Sequence, residues 1–214
     1  MPFGFGKRDG RAGEAAQAGA ATVTAATALT AAALVPHPAA AGGIAFDGVT
    51  EEWRLVGVME VEGRLSDALN KRDAISIRDV SWAPLDGSEP FSAVPGLRLI
   101  DPYDLIVVLA GEDSLPDFSD EEKAAHRVHK VSYGVILEVP PFRVRGTVHV
   151  FPGYEPERLL DRSSDMFFAV TDGLVMLNET RIGDTPTDTI LVNRHYLRRV
   201  EQLEGSGTEE TAPG

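Results

Sequence analysis

The sequence predicts a mainly β fold (α+β): two tandem, related small β units, barrel-like or sheet, joined by a surface helix, with disordered N- and C-terminal tails. Three observations predict it. Apolar side chains recur at every second position in Trp53–Val61 and Val131–Val139, the period of a strand. A strand, a short helical turn and a second strand follow one another at Trp53–Asp79 and again at Phe142–Asp172. Between them, Ser119-x-x-Glu122 with Asp120 and Glu121 behind it and Arg127 and Lys130 ahead is a helix signature, capped and charged with its dipole.

Residues 1–43 read as an arm. Half of residues 12–41 are alanine, with threonine, glycine and proline among the rest. Three readings compete there: a disordered arm, a secretory signal with Lys7, Arg8 and Arg11 as its basic region and Ala39-Ala40-Ala41 as its cleavage site, and a membrane span. Glu14 and four threonines count against the signal; Pro36, Pro38 and the short apolar run count against the span. The arm reading makes the chain cytoplasmic; the signal reading makes it secreted.

The first unit is expected over 44–112. Trp53, Leu55, Gly57, Met59 and Val61 share one strand face, and Val56 and Val58 make the other face apolar too, as in a strand covered on both sides. A short turn over Arg64–Asn70 follows, opened by Arg64 or by Ser66 as a cap, with Asp67 at its positive end and Asn70 closing it in a left-handed conformation. Ile75, Ile77, Val80 and Trp82 continue as a strand, residues 86–96 read as a loop, and Leu105–Leu109 as a buried strand. The connecting helix is expected over 113–130, and the second unit over 131–203. There Arg54 falls on Arg143, Gly57 on Gly146, Leu69-Asn70 on Leu160-Asp161 and Asp79 on Asp172; Ile190–Asn193 is laid over Leu105–Val108. Leu174–Leu177 either continues its strand or turns back through Asp172-Gly173. The last strand, Tyr196–Val200, has no assigned counterpart, and 204–214 read as a tail.

Charge and composition exclude several classes. The net charge is −13. The arm carries Lys7, Arg8 and Arg11 against Asp9 and Glu14, and the tail carries Glu204, Glu209 and Glu210, so the body holds most of the excess. Such a body repels phosphate backbones and anionic lipid, and nucleic acid is not the favoured partner. With no cysteine, disulfides, thiolate metal sites and a cysteine nucleophile are excluded.

Arg64-Leu65-Ser66-Asp67-Ala68-Leu69-Asn70, between a strand with a central glycine and a strand ending in aspartate, resembles an uncharacterised bacterial domain of unknown function that carries an Arg-Leu-Ser-Asp-x-Leu-Asn motif. The resemblance implies no activity. In the second copy, Arg145–Val148, Phe168–Asp172 and Ile190–Val200 resemble an Sm-like small β-barrel, which implies RNA binding in rings; the acidic balance opposes that.

Candidate chemistry is sparse. Glu122, His126 and His129 share helical spacing, too few ligands to close a metal site. His149 alternates with Arg143 and Arg145 on a basic ridge, for which pairing with neighbouring carboxylates is the default. Asp79 and Asp172 suit turns better than acid–base work. His195, Asp172 and Ser163 form a triad only on paper, because no strained nucleophile elbow is present. The chain is therefore read as non-catalytic, with no cofactor and no metal. It is read as a binding or scaffold module for a protein partner or itself, with binding residues Arg64, Ser66, Asp67 and Asn70. The alternatives are an Sm-like nucleic-acid or nucleotide binder and a small-molecule regulator with its pocket between the units.

Overall fold

A computed structural model describes residues 43–110, 130–163, 165–203 and 208–209. The expected connecting helix, the metal-spaced histidines and most of both tails lie outside the described residues. The chain is mainly β. Its strands are β1 (Ile44–Val49), β2 (Trp53–Met59), β3 (Ile75–Pro84), β4 (Ser92–Ala93), β5 (Leu99–Ile100), β6 (Val107–Ala110), β7 (Val131–Val139), β8 (Phe142–Val150), β9 (Phe167–Leu177), β10 (Thr180–Asn193), β11 (Arg199–Gln202) and β12 (Thr208–Glu209). Among the described residues, one α-helix, α1 (Leu65–Asn70), and 3-10 turns at Pro102–Asp104 and Pro156–Leu160 interrupt them. Thr208–Glu209, within the segment read as a tail, pair with Ser132 and Val131.

All strand pairings are antiparallel, in the order β11-β7-β8-β9-β10-β6-β1-β2-β3-β4, with β5 also on β3 and β12 on β7. Each half repeats one order: its last strand returns to its first (β6 on β1, β11 on β7), and its first three strands form a meander. Both meanders bulge at the same place. Between Val56/Ser81 and Val58/Arg78 the third strand holds one extra residue opposite Gly57, and between Arg145/Leu174 and Thr147/Thr171 it holds one opposite Gly146. Asp79 and Asp172 take that position with φ of 53° and 50°, left-handed values that aspartate tolerates better than most residues. These aspartates sit inside β3 and β9 rather than at strand ends, and β9 runs straight on to Leu177.

The return strands correct one expected correspondence. Asp47 lies opposite Leu109 as Ile136 lies opposite Glu201, so β6 matches β11, and Ile190–Asn193 is not its equivalent. The true match runs from Leu99-Ile100-Asp101 to Leu191-Val192-Asn193: Ile100 faces Ile75 and Leu99 faces Ser76, as Val192 faces Phe168 and Leu191 faces Ala169. Asp101 and Asn193 each accept a hydrogen bond from the backbone N–H two residues on, Tyr103 and His195, and so open the turn into the last strand.

The halves meet edge to edge, through Val107, Val108, Leu109 and Ala110 against Val192, Leu191, Ile190 and Thr189. Both faces of this seam are buried, because alternate residues feed two cores. Val107, Leu109, Ile190 and Val192 join the cluster around Val135, Leu137 and Val144; Val108, Ala110 and Leu191 join the cluster around Phe46, Met59 and Leu69. This explains why Leu105–Leu109 reads as an unbroken apolar run.

Candidate binding surface

The four residues expected to bind do not converge. Arg64 is exposed at the N-cap of α1 and its side chain makes no cap bond. Asp67 is exposed on the same turn, and Ser66 donates to it at 3.4 Å, so the serine is a helical residue and not the cap. Asn70 is the last helical residue; the left-handed residue beyond α1 is Arg72, with φ of 65°. Asn70 turns away from its neighbours toward the second half. Its Nδ2 donates to the Phe167 carbonyl at 3.0 Å and its Oδ1 accepts from the Phe167 N–H at 2.7 Å. Both ends of the amide are thereby used in holding α1 to β9.

Beside it, the two equivalent turns touch. Tyr103 and His195 rings lie 5.6 Å apart, the Tyr196 hydroxyl donates to the Tyr103 carbonyl at 3.3 Å, and Asn193 Nδ2 donates to the Leu105 carbonyl at 2.8 Å. Partial burial, with Arg162 and Arg72 nearby, holds the His195 pKa below its usual value. Burial, with Glu51 and Asp104 nearby, raises that of Tyr196. No hydrogen bond among the described residues links His195 to Asp172 or Ser163; the serine hydroxyl donates to Asp161 at 2.7 Å instead.

The ridge on β8 is engaged by its sheet neighbours. Arg143 lies 3.6 Å from Glu138, which Arg199 also approaches at 3.6 Å. His149 bridges Ser132 and Thr171 across β7, β8 and β9, at 2.9 Å to each.

The feature not read from the sequence is the loop from β8 to β9. Phe151 and Tyr154 are 53% and 44% exposed, with ring centroids 6.2 Å apart in edge contact. The Arg158 guanidinium stands 4.6 Å from the Tyr154 ring centre, and Leu160 is exposed on the same turn. Elsewhere among the described residues, only Leu99 and Tyr103 are exposed large hydrophobic side chains. The loop is braced from below. Pro156 and Leu159 are buried, and the largely buried Arg194 donates to the carbonyls of Leu159 at 2.6 Å, Arg158 at 3.4 Å and Asp165 at 2.9 Å. Burial lowers the Arg194 pKa, while Asp165 and Asp161 oppose that shift. A sequence signal for it exists: two aromatics in Phe151-Pro152-Gly153-Tyr154, where a turn has no core to bury them.

No family model matches the chain, and no curated protein or solved structure is significantly similar to it. Among the described residues no group of three histidine or acidic side chains is placed to hold a metal ion, and no helix is long and apolar enough to cross a membrane.

Proposed function

We propose that this chain is a non-catalytic binding module, and that a partner protein docks on the Phe151–Tyr154–Arg158 surface. The observation that carries the proposal is an exposed aromatic pair with a stacked arginine on a loop braced by a buried one. Tyrosine, phenylalanine and arginine are the residue types enriched where protein interfaces concentrate their energy. Bracing also reduces the ordering cost of association. Charge favours protein over nucleic acid. The loop carries Glu155, Glu157, Asp161 and Asp165 against Arg158 and Arg162, on a chain of net charge −13.

The test is quantitative affinity capture from the native host with the intact chain and with a Phe151→Ala/Tyr154→Ala chain. Hot-spot truncations cost about 2 kcal/mol or more each, so a protein held by the intact chain should be lost from the variant at unchanged melting temperature. Identical captured sets would refute the proposal. A salt-sensitive mobility shift of single-stranded RNA, abolished by the same substitutions, would replace it with the nucleic-acid alternative.

A further inference from the structure

Among the described residues, the edge pairing that joins the two halves has an unpaired duplicate at the ends of the sheet. Inside the chain, the last strand of the first half (β6) pairs with the fourth-strand segment of the second half (β10). At the outer edges, among the described residues, lie the last strand of the second half (β11) and, on β3 of the first half, β4 and β5 (Leu99–Ile100), with Arg98 accepting from the Ile77 N–H just before β5. We propose that a second copy of this chain binds there, head to tail, by the same pairing.

The register comes from the equivalences already established. Val107, Val108, Leu109 and Ala110 correspond to Arg199, Val200, Glu201 and Gln202; Val192, Leu191, Ile190 and Thr189 correspond to Ile100, Leu99, Arg98 and Leu97. Carried across chains, the inner seam sets Val200 opposite Leu99 of a second copy and Glu201 opposite its Arg98. Three observations fit. Leu99 is 58% exposed whereas its equivalent Leu191 is 2% exposed, so the seam that buries the one is missing at the other. The Glu201–Arg98 pair is charge-complementary. The backbone polarity also agrees. The Ile77 N–H donates to the Arg98 carbonyl, so alternation turns Leu99 outward; the Leu203 N–H donates to the Gly134 carbonyl, so alternation turns Val200 outward. Those are the residues that must exchange hydrogen bonds.

The outer seam is weaker than the inner one. Asn70 and Asn193, whose amides donate across the inner seam, are replaced at the equivalent positions by Asp161 and Asp101, which cannot donate when ionised. Assembly is therefore concentration-dependent, and a head-to-tail contact closes into a ring or extends, according to its rotation.

Light scattering on the full chain across a concentration series tests this, independently of the aromatic surface. The expected mass rises above the 23.0 kDa of one chain. Leu99→Asp and Glu201→Arg, both at exposed positions, each hold the chain at one copy. Mixed, they give a species of two copies and no more, because one chain keeps a sound β11 and the other a sound Leu99 edge. Arg98→Glu combined with Glu201→Arg restores assembly. A single copy at every concentration, assembly indifferent to both substitutions, or a mixture that stays at one copy would each overturn the proposal.

Discussion

Alanine in place of Gly146 should destabilise the protein far more than alanine in place of the equivalent Gly57. Each glycine faces the extra residue of a bulge, which pushes the third strand toward it. A Cβ on Gly146 would lie 2.5 Å from Val170 Cγ1, 2.8 Å from the Thr171 carbonyl oxygen and 3.0 Å from Gly173 Cα. Two of those are backbone atoms of β9, which is paired on both sides and cannot retreat. A Cβ on Gly57 meets the Arg78 carbonyl oxygen at 3.0 Å and two side-chain carbons at 3.2 Å, which a few tenths of an ångström relieve. Overpacking costs about 1–3 kcal/mol, with Gly146 at the upper end and Gly57 at the lower. Stiffening the unfolded chain returns about 0.4–1 kcal/mol in both cases. The net is about 2 kcal/mol for Gly146→Ala and near zero for Gly57→Ala. At about 2–4 °C per kcal/mol for a chain of this size, that is a melting-temperature drop of about 4–8 °C against about 2 °C or less. Urea unfolding at unchanged m-value checks that the two variants share one unfolded reference. Equal losses, or a larger loss at Gly57, would refute the account of the bulge as the source of the glycine requirement.

Asn70→Ala should cost about 1–3 kcal/mol in urea unfolding, because it strands the Phe167 N–H and carbonyl, and Asn70→Asp, which keeps an acceptor, should cost less; equal stability of all three would show that the amide does not hold α1 to β9. His195 should titrate below its usual 6.5, owing first to burial and then to Arg162 and Arg72. The folded state then binds fewer protons than the unfolded one, so its contribution to stability is complete above the unfolded pKa and is lost as pH falls through that value toward the folded pKa. Proton-detected titration of the ring checks this: Arg162→Ala should raise the His195 pKa, and an unchanged or lower value would count against the assignment.

What can be read from the sequence is local. Strands carry their period in the chain, and Gly57/Gly146 and Asp79/Asp172 can be matched because each glycine faces a bulge residue that accepts positive φ, with little room for a Cβ, least at Gly146. Pairing partners are not local, and there sequence reasoning fails. Leu105–Leu109 and Ile190–Asn193 look alike because both are apolar, and both are apolar because they are the two sides of one seam, not because they are copies. The real copies, Leu99-Ile100-Asp101 and Leu191-Val192-Asn193, are obscured by the unlike residues on their C-terminal side, Pro102-Tyr103-Asp104 in one and Arg194-His195-Tyr196 in the other. Arg64, Ser66 and Asp67 stand out as a motif, yet α1 places them toward solvent and uses Asn70 for the fold. The aromatic surface escapes sequence reasoning because nothing in Phe151–Tyr154 says that Arg194, some forty positions later, braces the turn from beneath.

Some of the differences between the two halves lie at positions that meet across the inner seam. Gly57/Gly146, Asp79/Asp172, Leu105/Leu197 and Val108/Val200 are kept, and they fold each half. Asn70/Asp161, Asp101/Asn193 and Tyr103/His195 differ, and each has a member in contact at the inner seam. Two identical units in one chain would pair with each other at a high effective concentration and leave the same complementary edges at the ends of the sheet. The amides at Asn70 and Asn193 give the inner seam two donors, where Asp161 and Asp101 stand at the equivalent positions. The buried Arg54–Asp47 pair obeys the same logic on a face: it is bidentate, 2.6 and 2.9 Å, under Phe91, whereas the second half has Arg143 and Ile136 at those positions with Arg143 open to solvent. The first half has closed its outer face and opened an edge at Leu99; the second has kept its outer face open and raised an aromatic loop.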